Sequence, residues 1–527
     1  MTVHRNARPH VLLVLADQLR ADHLGCYGNG IVRTPAIDSI AAAGTRFQRF
    51  HTASPLCMPN RATLFTGRLP SVHGVRRNGI PLSCAERTLA EALATNGYNT
   101  ALIGKAHFQP YGMFAEAQQT PRKEARGFPG WPEAYRLEEI ETWENTAGGR
   151  PITGPYYGFS HTELTLYHGD QVGGDYAAWL RAKDPAAARW CGPAHAWPDE
   201  RYTVRDAWRT RLPEELHSCA YIAERTSAWL AAQASAPVDD QKPFFLVCSF
   251  PDPHHPFTPP GKYWDMYGVD DIPLPASFHG DNPHPALQYV RQVSAHGAKL
   301  ASNHHPFAPS EREAREAIAL TYGMVSNMDA AIARVLESLR ENGLADTTTV
   351  VFTSDHGDLM GDHGVFLKGP MHFNGLTRVP FIWSDPSNPT PLADVHQVCS
   401  SLDVASSILE HTGCERYSGL QGESVLPLLS GQRETDRGVL VESESARLLF
   451  GRPAPFRLRT LVLSKWRVTY CTDAALCELY DLEDDALEQR NLWNEAAHRA
   501  TRDALLERLL HTVVAHAETS PVPLSSG

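Results

Sequence analysis

Residues 11–16 read Val-Leu-Leu-Val-Leu-Ala, with no polar residue among them, and Asp17-Gln18 follow at once. A strand with one face in water alternates apolar and polar side chains. A run without alternation must be covered on both faces, as an inner strand of a parallel sheet is. Such a strand delivers polar groups to its C-terminal edge, where open α/β sheets hold their ligands. The chain repeats this design. Tyr98 to Ile103 runs into Gly104-Lys105, Pro243 to Phe250 into a loop from Pro251 to Pro260, and the β-branched Thr347 to Phe352 into Ser354-Asp355-His356-Gly357. Arg378 to Trp383 reads as one more strand. Helices are expected over Thr34 to Ala43, from Arg61 to Thr66, over Leu89 to Asn96 and over Glu215 to Ala232. The longest is expected from a Ser310 cap, with Glu313 at the capping-box position, to Asn342. Its Ile318, Tyr322, Val325, Met328, Ile332, Val335 and Leu339 step by three or four along one face.

These elements predict an α/β fold with a large mixed, mainly parallel sheet sandwiched by helices over residues 1–414. Within it, about 110–215 is rich in Trp, Tyr, Gly and Pro. That stretch is expected to be a folded insertion of loops and short elements, because it is too aromatic for a linker. A second irregular stretch is expected over about 260–308. From 415 to 527 the style changes. Arg459 to Leu463, Trp466 to Cys471 and Cys477 to Asp481 read as short strands and Ala496 to Ala517 as a helix, which predicts a small C-terminal α+β domain.

Composition narrows the function. Of 527 residues, 42% are hydrophobic, enough for a large core and too many for a disordered chain. A net charge of −12 argues against a nucleic-acid partner, which needs basic surface. An anionic substrate must then be held by a local cluster of cations. The 11–16 run is far shorter than the roughly 20 residues of a membrane span, and no leader pattern is read at the start. A cytoplasmic location with no membrane partner is therefore expected. The ten cysteines are scattered and form no Cys-x-x-Cys pair, which argues against a disulfide framework or a zinc site of that kind.

The densest motif is Ser54-Pro-Leu-Cys57-Met-Pro59-Asn-Arg61-Ala-Thr-Leu-Phe-Thr66-Gly67-Arg68. Its Cys-x-Pro-x-Arg, followed by a helix and Thr-Gly-Arg, resembles the signature of type I sulfatases in the alkaline-phosphatase-like superfamily. The resemblance implies that a formylglycine-generating maturation enzyme oxidises Cys57 to formylglycine, whose hydrated aldehyde is the nucleophile. A helix N-terminus favours an oxyanion there, and Arg61, one turn on, can reach back to it. Met58 and Asn60 depart from the small residues usual in the signature, while Cys57, Pro59 and Arg61 are intact. Taken alone, Cys57 also reads as a buried structural cysteine.

The same resemblance implies one divalent cation held by Asp17, Gln18, Asp355 and His356, with residue 57 as a further ligand. Gln18 stands where a second Asp is more frequent, as in choline sulfatases and phosphonate monoester hydrolases of the superfamily. It also reads as a strand-end polar residue pointing elsewhere. Oxygen ligands favour Ca²⁺, and a histidine with an amide makes Mn²⁺ the alternative.

Gly104-Lys105-Ala106-His107 matches the family's Gly-Lys-x-His. That implies a contact from Lys105 to the nucleophile and the sulfate. It makes His107 the base that collapses the sulfated hemiacetal. Phosphonate monoester hydrolases carry Tyr and Thr at these two positions. In Pro253-His254-His255-Pro256, His254 aligns with the histidine at the leaving-group oxygen and is the candidate general acid, with His255 as second choice. Lys368 aligns with the second sulfate-binding lysine. Asn78 corresponds to an anion-contacting asparagine of choline sulfatases and phosphonate monoester hydrolases, or is a turn residue before Gly79. Glu478-Leu-Tyr-Asp481 and Asn491-Leu492 resemble the family's closing strand and turn, so the likeness spans nearly the whole chain.

The implied activity is metal-dependent hydrolysis of a small-molecule sulfate ester by a nucleophile derived from Cys57. A homo-oligomer is compatible with it. One rival is a phosphonate monoester or phosphodiester hydrolase with the same nucleophile and metal. The other is a catalytically silent binding protein on this scaffold.

Overall fold

The computed structural model describes residues 8–113, 124–146, 149–237, 241–295, 305–432, 437–445, 455–523 and 525. Nine strands form the main sheet: β1 His10–Ala16, β2 Thr45–His51, β3 Asn99–Gly104, β4 His161–Leu166, β5 Gly173–Gly174, β6 Phe244–Ser249, β7 Thr348–Ser354, β8 Phe381–Ser384 and β9 Asp394–Ser400. Their spatial order is β5-β4-β3-β6-β1-β7-β8-β2-β9. The inner five, β4 to β7 in that order, are parallel, and β8 and β5 run against their neighbours. The architecture is the expected α/β one.

The lack of alternation in β1 has its explanation here. Leu12, Val14 and Ala16 enter one core, beneath the Glu311–Glu341 and Ser218–Ala234 helices, and Val11, Leu13 and Leu15 enter the other, beneath Cys57–Thr66 and Leu89–Thr95. Each fully buried leucine or valine contributes about 1.5–3 kcal/mol relative to exposure. The long helix has the predicted capping box, the Ser310 hydroxyl accepting from the Glu313 N–H and the Glu313 carboxylate from the Ser310 N–H. Midway along it, the buried Asp329 accepts from the N–H groups of Ala36 and Ile37 and so caps the Pro35–Ala42 helix.

Several expectations are corrected. The stretch read as an insertion contributes β4 and β5 to the main sheet and carries a helix over Asp175–Lys183; its residues 114–123 and 147–148 lie outside the described residues. Thr162, Glu163 and Thr165 dilute the apolar pattern of β4, and Glu163 is held by Arg225 and Tyr221. The second irregular stretch contains a helix over Pro285–Ala295, beyond which 296–304 lie outside the described residues. The helix expected from Arg61 starts at Cys57 itself.

The second sheet has β10 Val439–Ser445, β11 Phe456–Val462, β12 Trp466–Cys471 and β13 Glu478–Asp481, all antiparallel, in that order. The Arg499–Ala515 helix buries Leu505 and Leu509 against it, in a cluster shared with Ala53, Leu69 and Leu402 of the main body. His372 pins the two parts, one ring nitrogen on the Thr460 hydroxyl at 2.6 Å and the other on the Ser443 hydroxyl at 2.9 Å.

Candidate active site

The five parallel strands end on one edge, and each delivers a candidate site residue there. β1 is followed by Asp17 and Gln18, β3 by Lys105 and His107, β4 by His168, β6 by His254 and His255, and β7 by Asp355 and His356. Gly104 makes the β3 end possible. Its φ is 113°, and a Cβ there would lie 1.8 Å from the Ser249 carbonyl oxygen of β6, so only glycine fits.

Cys57 is the first residue of its helix and is buried. Its Sγ lies 3.0 Å from His356 Nε2 and 3.0 Å from Lys368 Nζ. Burial pushes the thiol up, but Lys368, His356 and Lys105 outweigh it and bring the pKa down to about 7. Lys368 Nζ also donates to Gln18 Oε1 at 2.8 Å and lies 2.8 Å from His254 Nε2 and 3.0 Å from His356 Nε2. The orientation of Gln18 is set on its other side, where Nε2 donates to Asp358 Oδ2 at 2.5 Å. Its oxygen therefore faces the cluster.

Asp355 joins the two halves of the site. Its Oδ1 accepts from the Gln18 N–H at 3.1 Å and its Oδ2 from Arg61 Nε at 2.7 Å. Arg61 also donates from Nη1 to the Lys105 carbonyl at 2.8 Å and to Ser249 Oγ at 3.0 Å, while its buried Nη2 has no partner among the described residues. Lys105 Nζ bonds Asp17 and sits 2.6 Å from His168 Nε2. Burial alone would raise the Asp17 carboxyl; Lys105, His254 and His168 hold it well below the usual carboxylate range. The His254 ring stacks on His168 with 3.6 Å between centroids.

His107 is held by its backbone. The Glu138 carboxylate accepts the N–H groups of His107 and Phe108 at 2.7 Å and of Gln109 at 3.0 Å, and Tyr156 donates to it as well. The His107 ring stacks on Tyr111 at 4.1 Å. Its Nδ1 and the Tyr111 hydroxyl are buried without partners among the described residues. Burial first, then Lys105, keeps this imidazole well below its ordinary pKa and so neutral.

Asp17, Gln18, Cys57, Arg61, Lys105, His254, Asp355, His356 and Lys368 are thus linked in one network. Asn78 lies to its side: its Oδ1 accepts from the Met58 N–H at 3.1 Å, in the first turn of the Cys57 helix. Asn60, which departs from the signature, accepts from the Ala53 N–H and the Ser401 hydroxyl. The sequence reading missed His168, Tyr111, Glu138 and Asp358. His168 had a usable signal, since it follows a strand just as Asp17 does, but that strand was hidden by its polar residues.

Ligand atoms of Asp17, Cys57, Asp355 and His356 lie within 4.8 Å of one another. Lys368 Nζ stands where the Gln18, His356 and Cys57 donor atoms converge, so the site is arranged to receive positive charge.

A family model described as Sulfatase matches residues 9–414, and one described as N-sulphoglucosamine sulphohydrolase, C-terminal, matches residues 361–515. An arylsulfatase of Clostridium perfringens is 27% identical over 511 residues, covering 95% of this chain and 94% of the relative. PehA of Trinickia caryophylli, a multifunctional alkaline phosphatase superfamily protein, is 27% identical over 558 residues, covering 98% and 99%. The solved phosphonate monoester hydrolase of Agrobacterium radiobacter superposes with a TM-score of 0.77 at 26% identity, over 98% of each chain.

Proposed function

The chain belongs to the sulfatase family, and from that premise we propose that it hydrolyses small-molecule sulfate esters with a nucleophile made from Cys57. The observation that carries the reading is the convergence of Lys368, Lys105 and Arg61 around Cys57 at a helix N-terminus. Three buried cations against the carboxylates of Asp17 and Asp355 leave an excess of positive charge that an anion completes.

The donor set fits a divalent cation, with Asp17, Asp355, His356 and the Gln18 oxygen as its holders, and oxygens with one imidazole suit Ca²⁺ or Mn²⁺. When bound, that cation draws charge from the sulfuryl oxygens. Conversion of Cys57 to formylglycine by a maturation enzyme supplies an oxygen nucleophile in place of sulfur. Lys105 and Lys368 hold the sulfuryl oxygens, and Arg61 offers its free Nη2. His254 is neutral without substrate, because burial and then His168 and Lys368 hold its pKa well below the ordinary value. An anion beside Lys368 offsets those cations and lets His254 carry the proton that the leaving oxygen needs. His107 is neutral with a free Nδ1, as a base must be at the start. Every residue named lies within 1–414, and we assign the chemistry to that part and closure of the fold to 415–527.

A second reading, hydrolysis of phosphonate monoesters or phosphodiesters, is favoured by Gln18, His356 and the likeness to the Agrobacterium enzyme. Lys105 and His107 favour sulfate.

The test uses protein produced together with a formylglycine-generating enzyme. A loss of about 18 Da at the Cys57 peptide reports conversion. The converted protein is then assayed with aryl sulfate, aryl phosphonate monoester and phosphodiester. A kcat/KM at least tenfold higher for the sulfate supports the first reading, and the reverse order supports the second. No turnover of any of them by converted, metal-loaded protein identifies a silent member of the family.

A further inference from the structure

Behind the loop that carries His254 lies a second group of metal-ligating side chains. His217 is the N-cap of the Ser218–Ala234 helix, Cys219 is in its first turn, and Asp252 follows β6. All three are fully buried. Ligand atoms from the three lie within 4.8 Å of one another.

We propose that His217, Cys219 and Asp252 form a second metal site, distinct from the cluster around Cys57, that takes a single Zn²⁺ ion.

The buried carboxylate is the main reason. Among the described residues, no N–H or O–H donor reaches either oxygen of Asp252. Its polar neighbour is the Cys219 thiol. Other buried acids in this protein are well supplied. Glu138 accepts three backbone N–H groups and a tyrosine hydroxyl. Asp403 accepts Ser400 and Glu423 N–H groups and the Arg437 guanidinium. Leaving a buried carboxyl without donors costs a few kcal/mol. His217 Nε2 is likewise buried with no partner among the described residues. A cation among these atoms satisfies all of them at once.

The donor types select the ion. One thiolate, one imidazole and one carboxylate suit Zn²⁺, and the two Asp252 oxygens can complete four donor atoms. Ca²⁺ and Mg²⁺ prefer oxygen alone. The two clusters of this chain therefore sort metals by chemistry. The protons balance as follows. The Cys219 thiol, and Asp252 where protonated, release theirs to solvent. The neutral His217 ring moves its proton from Nε2 to Nδ1, which gives up the bond it now accepts from the Cys219 N–H at 3.3 Å. Nδ1 now lies 3.1 Å from the Asn327 side-chain amide, which, turned over, presents its oxygen to hold that proton.

The ion would fasten the active-site edge from behind. The Asp252 carbonyl accepts the Asp17 N–H at 3.1 Å, and Pro253-His254 follow directly.

The test uses the full-length chain in its Cys57→Ser form, so that no thiolate remains in the first cluster. It is stripped with a chelator and loaded with Co²⁺ alone. The expected result is a thiolate-to-cobalt charge-transfer band in the near ultraviolet that saturates at one equivalent, beyond any Co²⁺ taken up without a band by the first cluster. That band vanishes in the Cys57→Ser/Cys219→Ser protein, and zinc affinity falls at least tenfold in Asp252→Asn. Zinc retention should survive Asp17→Asn, which damages only the first cluster. A Cys57→Ser protein that binds Co²⁺ without the band overturns the proposal, as does zinc content that disappears in Asp17→Asn. Near-ultraviolet circular dichroism of the stripped variants checks folding. If Cys219→Ser does not fold, the band in the Cys57→Ser parent decides alone.

Discussion

Two groups of buried charge show what burial can be used for. In the second sheet, Arg467 is fully buried. It donates to Glu488, to Glu478 at 2.9 Å and to the Thr469 hydroxyl at 3.0 Å, and it lies over the Tyr480 ring at 4.5 Å. Two carboxylates answer its charge: burial alone would lower its pKa, but Glu478 and Glu488 outweigh that and leave it firmly protonated. At the edge of the main sheet, Lys368 is nearly as buried but is surrounded by His254, His356, Cys57 and one amide oxygen, none of them a carboxylate. The first group has two carboxylates for its one guanidinium charge, although Arg467 Nη2 has no partner among the described residues, and it holds strands together. The second is incomplete, and an anion is the natural completion. Burial of charge alone therefore does not mark a function; the sign left over does.

That contrast can be tested from both sides. The largest expected effect is on chemistry: Cys57→Ala should lower kcat/KM for the preferred ester at least about 10⁴-fold with the melting temperature nearly unchanged. Arg467→Met leaves Glu478 and Glu488 facing one another. It should cost about 3–5 kcal/mol of stability in urea unfolding, with KM unaffected in the folded fraction. Lys368→Ala should do the opposite, lowering kcat/KM by about 10²–10³ while stability is kept or gained; a loss of stability like that of Arg467→Met would erase the distinction drawn above. Sulfate or vanadate should stabilise the folded protein by about 2.7 kcal/mol at 100 times its Kd, and Lys105→Ala should remove that shift. The smallest effect concerns pH in unconverted, metal-free protein. Because the folded Cys57 thiol ionises near 7, below its ordinary 9.0, the thiolate favours the folded state above that range, and this contribution is lost as pH falls through 7. The stability difference between this protein and Cys57→Ser should grow from pH 6 to pH 9 by about 2 kcal/mol.

Much of the site was legible because it sits where strong patterns end. Asp17, Lys105, Asp355 and His356 each follow an apolar strand, and Cys57, Arg61 and Lys368 lie within motifs of fixed spacing. Glu138 carried no such signal. Its role is to accept three backbone N–H groups from residues 107–109, a task that any acid in an irregular segment could perform. β2 was hidden by Arg46 and Arg49, which face Asp394 and the Ser464 carbonyl. The Asp403–His411 helix was hidden by Ser406 and Ser407, which turn their hydroxyls onto nearby carbonyls. In each case polar side chains have local partners, so burial does not require an apolar residue and the periodicity fades.

The burial of Cys57 also sets a clock. In the folded chain only 2% of the residue is exposed, so the proposed oxidation has to occur before the sheet edge closes over it. β1 cannot be flanked on both sides until β6 and then β7, which ends at Ser354, have been made. Roughly 300 residues separate Cys57 from that point, or about 15–60 s of synthesis at 5–20 residues per second. The maturation enzyme has that interval and little more. If Cys57 is converted as proposed, the yield of competent protein is decided by a race on the ribosome, and oxidant offered later to the finished fold arrives too late.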